Sequence, residues 1–424
     1  MEHRWPGFGP ADILLPQNCD LTKWSVVACD QYTSQNDYWQ RVAERVGDAP
    51  SALKLILPES QLEDGHAAEH IAAIGETMKE YLAAGLFQTY PNALIYVERW
   101  LDSKKLRRGL VGAVDLECYD YTPGAGTLIR ATEGTVLSRI PPRVAVRRDA
   151  ALELPHIMML VDDPDRRLIE HLTYETDRME QVYDFDLMER GGHITGYLLP
   201  PELQADVAEL LADLADPDRF AQRYDAAGKP VLLFAIGDGN HSLASAKATY
   251  EEEKKHTPQE QWAALPSRYA LVELVNLHDE SLEFEPIHRV CFGVDAPKLL
   301  KDLAAAYPGA HYGAGEGHTI TYVWAEGEGQ ITVPTPTAQL EVGTLQEFLD
   351  QWLERNGGSV DYVHGADVTR QLGAQTGNIG FLLPAMGKDQ LFKTVIFDGV
   401  LPRKTFSMGE AHDKRFYLEA RKIK

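Results

Sequence analysis

Val231-Leu-Leu-Phe-Ala-Ile-Gly-Asp-Gly-Asn-His-Ser242 decides the fold of this chain. The apolar run Val231 to Ile236 has the length and branching of a buried strand, and Pro230 before it cannot donate to a ladder. Gly237 and Gly239 allow a tight turn, and Ser242 is placed to cap a helix whose inner face is Leu243, Ala246 and Tyr250. The stretch therefore reads as strand, polar loop and helix start. At such a corner unpaired backbone N–H groups and the positive end of a helix dipole converge, which suits an anion. Asp238, Asn240 and His241 would surround it. The third glycine of a dinucleotide fingerprint is replaced by Ser242, and no Gly-Lys-Ser/Thr follows, so neither nucleotide motif is met. Gly-Asp-Gly-Asn is also ordinary turn chemistry.

The 424 residues carry 41 basic and 64 acidic side chains, a net charge of −23. That length suggests about two to three domains. That charge argues against a nucleic-acid or acidic-membrane surface, though not against a small basic pocket. Cys19, Cys29, Cys118 and Cys291 are scattered without Cys-x-x-Cys spacing, which fits a reducing, cytoplasmic setting and neither a zinc knuckle nor a disulfide framework. Met1 to Pro6 has no apolar leader, and no run approaches the ~18 apolar residues of a membrane span.

Outward from the corner, Ala11–Pro16, Trp24–Cys29 and Leu53–Pro58 read as strands, and Asp30 to Ser34 as a loop into a helix over Asp37–Val46. His66–Ala84 is amphipathic and stops at Gly85; His66 and His70 have metal-ligand spacing but no third ligand in view. Ala93–Trp100 and Arg108–Asp115 read as a strand pair. Leu128–Val136 carries Arg130, Glu133 and Thr135, and Arg139, Arg143, Arg147 and Arg148 follow. This local positive charge suits a phosphate or carboxylate with Glu133 as a base beside it, or else a helix face paired with Asp149 and Glu153. His156–Asp162 reads as a buried strand, Pro200–Tyr224 as one helix, and Arg268–Asn276 as a strand of the same sheet as Val231–Ile236. His288 and Arg289 offer an imidazole and a fork of donors for an anion. From Pro297 the text becomes that of a small lobe, and Leu391–Phe397 and Lys404–Gly409 return to strand and turn chemistry, with Arg403 and Lys404 as further cations.

Taken together, Val26 to Asp30 with Tyr32, Arg130-x-x-Glu133-x-Thr135, the Gly-Asp-Gly-Asn-His loop, Pro286-Ile-His-Arg289 and Pro402-Arg-Lys-Thr-Phe406 resemble, in this order, the bacterial and archaeal DUF1015 family. That resemblance spans nearly the whole chain and brings no assigned function with it. The family's loop is usually Asp-Gly-His-His-Arg and is similar to the phosphate loop of the ParB and sulfiredoxin superfamily, which includes free serine kinases. Asp238, Gly239 and His241 match it, whereas Asn240 and Ser242 stand where a histidine and an arginine are usual. The missing cation would have to come from Arg130, Arg139, His288, Arg289 or Lys404. Relatives encoded beside enzymes of serine synthesis imply serine or phosphoserine as substrate.

The expectation is an α+β protein of mixed sheets and packed helices: a main domain over 1–295 with a ParB/sulfiredoxin-like element at about 200–290, a small lobe over 296–360, and a segment 361–424 returning to the main domain. The expected chemistry is phosphoryl transfer on a small amino-acid metabolite, as phosphoserine phosphatase or serine kinase. Gly237, Gly239, Asn240, Ser242, Arg130, Thr135, Arg139, His288, Arg289 and Lys404 would bind substrate or phosphate. Glu133 or Asp238 would act as base and His241 as acid, or as nucleophile. Mg²⁺ on Asp238 or Asp30 and a bound nucleotide are compatible with this reading. The alternatives are a non-catalytic nucleotide or metabolite sensor and a scaffold protein.

Overall fold

The computed structural model describes residues 5–33, 35–62 and 65–424. Ser34, the end of one expected loop, and residues 1–4 lie outside them. The contacts form two units, one running to Leu282 and rejoined by Glu410–Lys424, the other Glu283–Gly409.

The first unit is built on a ten-stranded mixed sheet. The hairpin Ile95–Trp100 and Leu106–Asp115 forms one part, and Tyr269–Asn276 pairs antiparallel with its second strand. Met158–Val161 lies parallel to Tyr269–Asn276 and antiparallel to Phe234–Asp238, which in turn runs parallel to Ile129–Ala131. Side chains alternate across this sheet as the period of two requires. Ile95, Val97, Val111 and Leu271 enter one core with Trp24, Trp39 and Met78; Tyr96, Leu110, Val114 and Val272 enter the other with Phe234, Leu243 and Tyr250. Buried on both faces, an inner strand such as Met158–Val161 is a continuous apolar run.

Several local expectations are corrected. The central strand is Phe234–Asp238, so it starts three residues later than the apolar run and ends beyond Gly237. Its helix is Asn240–Lys254 with Gly239 as N-cap at φ +84°, so Ser242 lies inside the first turn and caps nothing. Leu53–Pro58 is no strand: it opens inside the 3₁₀ turn Ala52–Leu55, set by the Ser51 side chain accepting from Leu53 N–H. Trp24–Cys29 keeps only Val26–Val27 as strand, because Asp20 caps a short helix Leu21–Trp24. Asp216 caps a new helix at Pro217 and splits Pro200–Tyr224 into Pro201–Leu214 and Pro217–Tyr224.

The C-terminal stretch is sewn into this unit strand by strand. Phe416–Tyr417 pairs with Val26–Val27, Arg421–Lys422 with Leu152–Glu153, and Ala420 bridges to Leu14. Beneath it, the buried Arg415 is held between Glu273 and Glu419, and Arg99 and Arg107 donate to the carbonyls of His412, Asp413 and Lys414.

The second unit is a seven-stranded sheet in which Phe284–Phe292 pairs with Ser359–His364, Asn378–Leu382 and Phe406–Met408. Those partners place the boundary at 282/283, earlier than the 295/296 read from the sequence, and only Glu410–Lys424 rejoins the first unit. Leu391–Phe397 belongs to the helix Lys388–Asp398, whose Leu391, Phe392, Val395 and Ile396 are buried at helical spacing. No helix among the described residues is long and apolar enough to cross a membrane.

Candidate functional site

The parallel pairing of Phe234–Asp238 with Ile129–Ala131 brings their C-terminal ends to one edge, and the antiparallel pairing with Met158–Val161 brings that strand's beginning there too. Three sequence-distant stretches thus meet at the corner. From the first, Thr132 Oγ1 donates to the Ile236 carbonyl at 2.7 Å and receives Asn240 Nδ2 at 3.5 Å; Val136 N–H donates to His241 Nε2 at 3.3 Å. The segment carrying Glu133 and Thr135 therefore lies along the corner, with Thr135 Oγ1 and Asn240 Oδ1 buried and given no partner.

From the second, the buried His156 presents Nε2 to Ser242 Oγ at 3.3 Å and to Asp30 Oδ2 at 3.7 Å. Its Nδ1 meets the Tyr417 hydroxyl at 2.7 Å, and that hydroxyl also accepts the Cys29 N–H at 3.2 Å. From the third, Lys414 Nζ stands 3.3 Å from Asp238 Oδ2, while Asp238 Oδ1 accepts the Gly239 N–H at 2.9 Å. His156, Lys414 and Tyr417 were not singled out in the sequence reading. His156 stood at the head of an apolar strand, and Lys414 and Tyr417 in a terminal stretch more than 170 residues from the corner, with no local motif to mark them.

Electrostatics sharpens these roles. Burial pushes the Asp238 carboxyl up, but the Lys414 ammonium, then His156 and the Gly239 N–H, outweigh it and hold the pKa below the ordinary range. Asp238 is thus ionised at neutral pH. The His241 pKa is lowered by burial first and by Arg143 and Arg139 next. Its ring is uncharged at neutral pH and, accepting at Nε2, keeps its proton on Nδ1. Burial, chiefly, drives the Cys29 thiol up to about 12, which makes it inert as a nucleophile.

Beside the corner opens a cleft of ≈ 160 Å³ that reaches Ser242 and His156. Leu55, Met78, Val146 and Leu154 form its apolar wall. Its charged wall is Glu59 with Arg143 at 2.8 Å and Glu153 with Arg147 at 2.5 Å.

Other residues considered from sequence are placed elsewhere or otherwise engaged. Arg130 is buried, and its guanidinium donates to the carbonyls of Thr127, Pro230 and Val231, at the opposite end of the central strand from the corner. Arg139 is exposed and its carbonyl receives Arg143. His288, Arg289 and Lys404 belong to the second unit. There His288 Nδ1 accepts the Leu383 N–H, and the buried Arg289 donates to the carbonyls of Ile287, Arg403 and Lys404 and to Gln346. Lys404 is exposed with φ +56°.

A family model described as a protein of unknown function, DUF1015, matches residues 13–352. The chain belongs to the DUF1015 family. No curated protein matches it in sequence. Among solved structures, this DUF1015 chain is similar to a free serine kinase in complex with ADP, at 11% identity and TM-score 0.39 over 76% of this chain and 94% of that one. It is also similar to the C-terminally truncated SbnI from Staphylococcus aureus, at 11% identity and TM-score 0.36 over 70% and 82% of the two chains. A conserved hypothetical protein from Pyrococcus furiosus is alike at 11% identity and TM-score 0.34, over 72% and 92%. These are distant likenesses of the chain trace and say nothing of this chain's chemistry.

Gly239 gives the corner its shape, and a prediction follows from it. A Cβ there would meet Ile157 Cγ1 at 3.0 Å and Cα at 3.1 Å, besides adopting φ +84°. The left-handed backbone alone costs about 1–2 kcal/mol for a residue with a side chain. Gly239→Ala is expected to lose at least that much in urea unfolding. Gly85→Ala, at φ +66° with no atom within 4 Å of the added Cβ, should lose only the conformational part. Equal losses would show that Ile157 does not crowd the corner.

Proposed function

We propose that this protein transfers a phosphoryl group to or from a small amino-acid metabolite, with serine or phosphoserine as its first-choice substrate. The observation that carries the reading is the pairing of an anion-suited helix start after Gly239 with an ionised Asp238 held by Lys414 at the same corner. Backbone N–H groups of Asn240, His241 and Ser242 are in the first turn, where a helix offers no internal acceptors, and would receive phosphate oxygens. Lys414 would balance the charge that the usual loop arginine would otherwise meet. Phosphoryl transfer asks chiefly for such positioning and neutralisation. For the amino-acid part of the reading, a substrate ammonium and carboxylate would have to exchange partners with the Glu59–Arg143 pair at the cleft wall.

In this scheme Asp238 or Glu133 takes the proton of the attacking hydroxyl. His241, neutral with Nδ1–H, donates a hydrogen bond to a phosphate or leaving oxygen, a milder role than that of a cationic acid. Among the described residues no group of three or more His, Cys, Asp or Glu is placed to hold a metal ion. A Mg²⁺ arriving with the phosphate would need only one or two carboxylates, a role that Asp238 or Asp30 would fill. A nucleotide as phosphoryl donor is the cofactor compatible with the kinase direction.

The test is phosphate release from phosphoserine, and phosphate uptake by serine with a nucleoside triphosphate, each with and without Mg²⁺. Turnover in either direction supports the reading; binding of phosphoserine without turnover favours a sensor.

A pH prediction follows from His241. Because its folded pKa is depressed, the native state binds fewer protons than the unfolded chain, so its contribution is present above the ordinary value near 6.5 and lost as pH falls below it. Its ring proton signals are expected to titrate below pH 6.5. Arg143→Gln removes a repelling charge and should move that titration upward; no movement would show that Arg143 does not govern the ring.

A further inference from the structure

We infer that Ser242 is a covalent phosphoryl acceptor, the nucleophile of the proposed reaction, with His156 as its base. This rests on the phosphoryl-transfer reading and goes beyond the phosphate-binding role given to Ser242 above. A side-chain nucleophile is recognised by a base within hydrogen-bond reach and a third group that orients the base. Ser242 Oγ is 3.3 Å from His156 Nε2, and the Tyr417 hydroxyl fixes His156 Nδ1 at 2.7 Å. His156 is 5% exposed, so little water competes for its ring.

Neighbouring hydroxyls behave differently. Ser245 and Thr249 each donate to the carbonyl four residues back, as helix-interior hydroxyls commonly do. Ser242 instead turns to the imidazole of His156, two residues ahead of the strand Met158–Val161, and lines the cleft. It also stands in the first turn of a fifteen-residue helix, where a developing negative charge on its substrate is stabilised by the free N–H groups and the dipole.

The step balances without a further reactant. With the Tyr417 oxygen accepting Nδ1–H, His156 offers the Nε2 lone pair to the Ser242 hydroxyl. The Oγ–P bond forms as the ester P–O bond of the substrate breaks in line opposite it, the hydroxyl proton passes to His156 Nε2 and stays there, and the departing alkoxide, hydrogen-bonded by His241 Nδ1–H, takes its proton from solvent. The imidazolium formed in between is stabilised by Asp30, whose Oδ2 is 3.7 Å away. Water, or an acceptor hydroxyl in the transfer direction, then attacks phosphorus from the side the alkoxide left, Asp238 or Glu133 takes its proton, and the His156 imidazolium returns its own proton to Ser242 Oγ as the Oγ–P bond breaks.

The experiment uses the full chain with phosphoserine, with and without Mg²⁺, quenched in acid during turnover and analysed by intact mass and peptide mapping. One phosphate on Ser242 is expected in the wild type, with none in Ser242→Ala and about a 10³-fold or greater loss of turnover there. His156→Asn should slow labelling while leaving the fold, read by circular dichroism, unchanged, and Ser242→Thr should restore part of the label. A merely structural Ser242 would carry no phosphate. Wild-type turnover with no label, label elsewhere, or undiminished turnover in Ser242→Ala overturns the nucleophile and leaves phosphoryl transfer standing. A wild type without turnover or label removes both.

Discussion

Asp238→Asn is expected to lower turnover by about 10²–10⁴-fold, the range for loss of a positioned proton-transfer group. The substitution keeps the size of the side chain and an oxygen for the Gly239 N–H, so the turn should persist. What disappears is the negative charge that Lys414 and His156 face. Lys414 would then be free to swing from its 3.3 Å contact, and phosphate affinity should rise or stay level while the rate falls. Steady-state kinetics separates the two: a fall in kcat with KM unchanged or lower fits this role. An equal rise in KM with kcat preserved would make Asp238 a substrate-binding group only.

Arg415→Met is the substitution expected to cost most in stability. Arg415 is buried between Glu273 and Glu419, with Arg99 and Arg107 nearby. Removing one partner of a buried pair leaves an uncompensated charge, which typically costs about 3–5 kcal/mol. Urea unfolding should show that loss. Burial pushes Glu273 up, but Arg415, then Arg107 and Arg99, hold its pKa below the ordinary glutamate range. Its contribution is therefore present above the unfolded pKa of about 4.3 and lost as pH falls through the lower folded value. In Arg415→Met the folded Glu273 pKa rises toward or past the unfolded value, so the acid-side loss should shrink while the stability is already reduced at neutral pH. The same substitution should loosen the backbone of His412 to Lys414 and so lower activity as well, although Arg415 touches no part of the corner itself. A variant as stable as the wild type would show that the pair is neutral against an apolar replacement.

The sequence made the strand-loop-helix corner legible because apolar run, glycines and helical spacing agree there. The hairpin Ile95–Trp100 with Leu106–Asp115 and the helix Ala67–Ala83 were legible for the same reason. Leu391–Phe397 and Leu53–Pro58 were not, since a short apolar run reads alike as strand, buried helix or 3₁₀ turn. At the corner, the contacts of Thr132 with Ile236 and Asn240 follow from parallel pairing of two strands about a hundred residues apart, which spacing cannot reveal. Arginines were the natural candidates for binding an anion, yet Arg130 and Arg289 are turned to backbone carbonyls in their own units. A cation that does face Asp238 at the corner is Lys414, brought there by a terminal stretch with long-range β-pairings.

The direct test of the corner is to locate a phosphate analogue in a crystal of the wild-type protein soaked in tungstate, by its anomalous signal. A peak within hydrogen-bond distance of the N–H groups of residues 240–242, on the side of Lys414, is the predicted result. Density for tungstate elsewhere, with none at that helix start under saturating conditions, would contradict it.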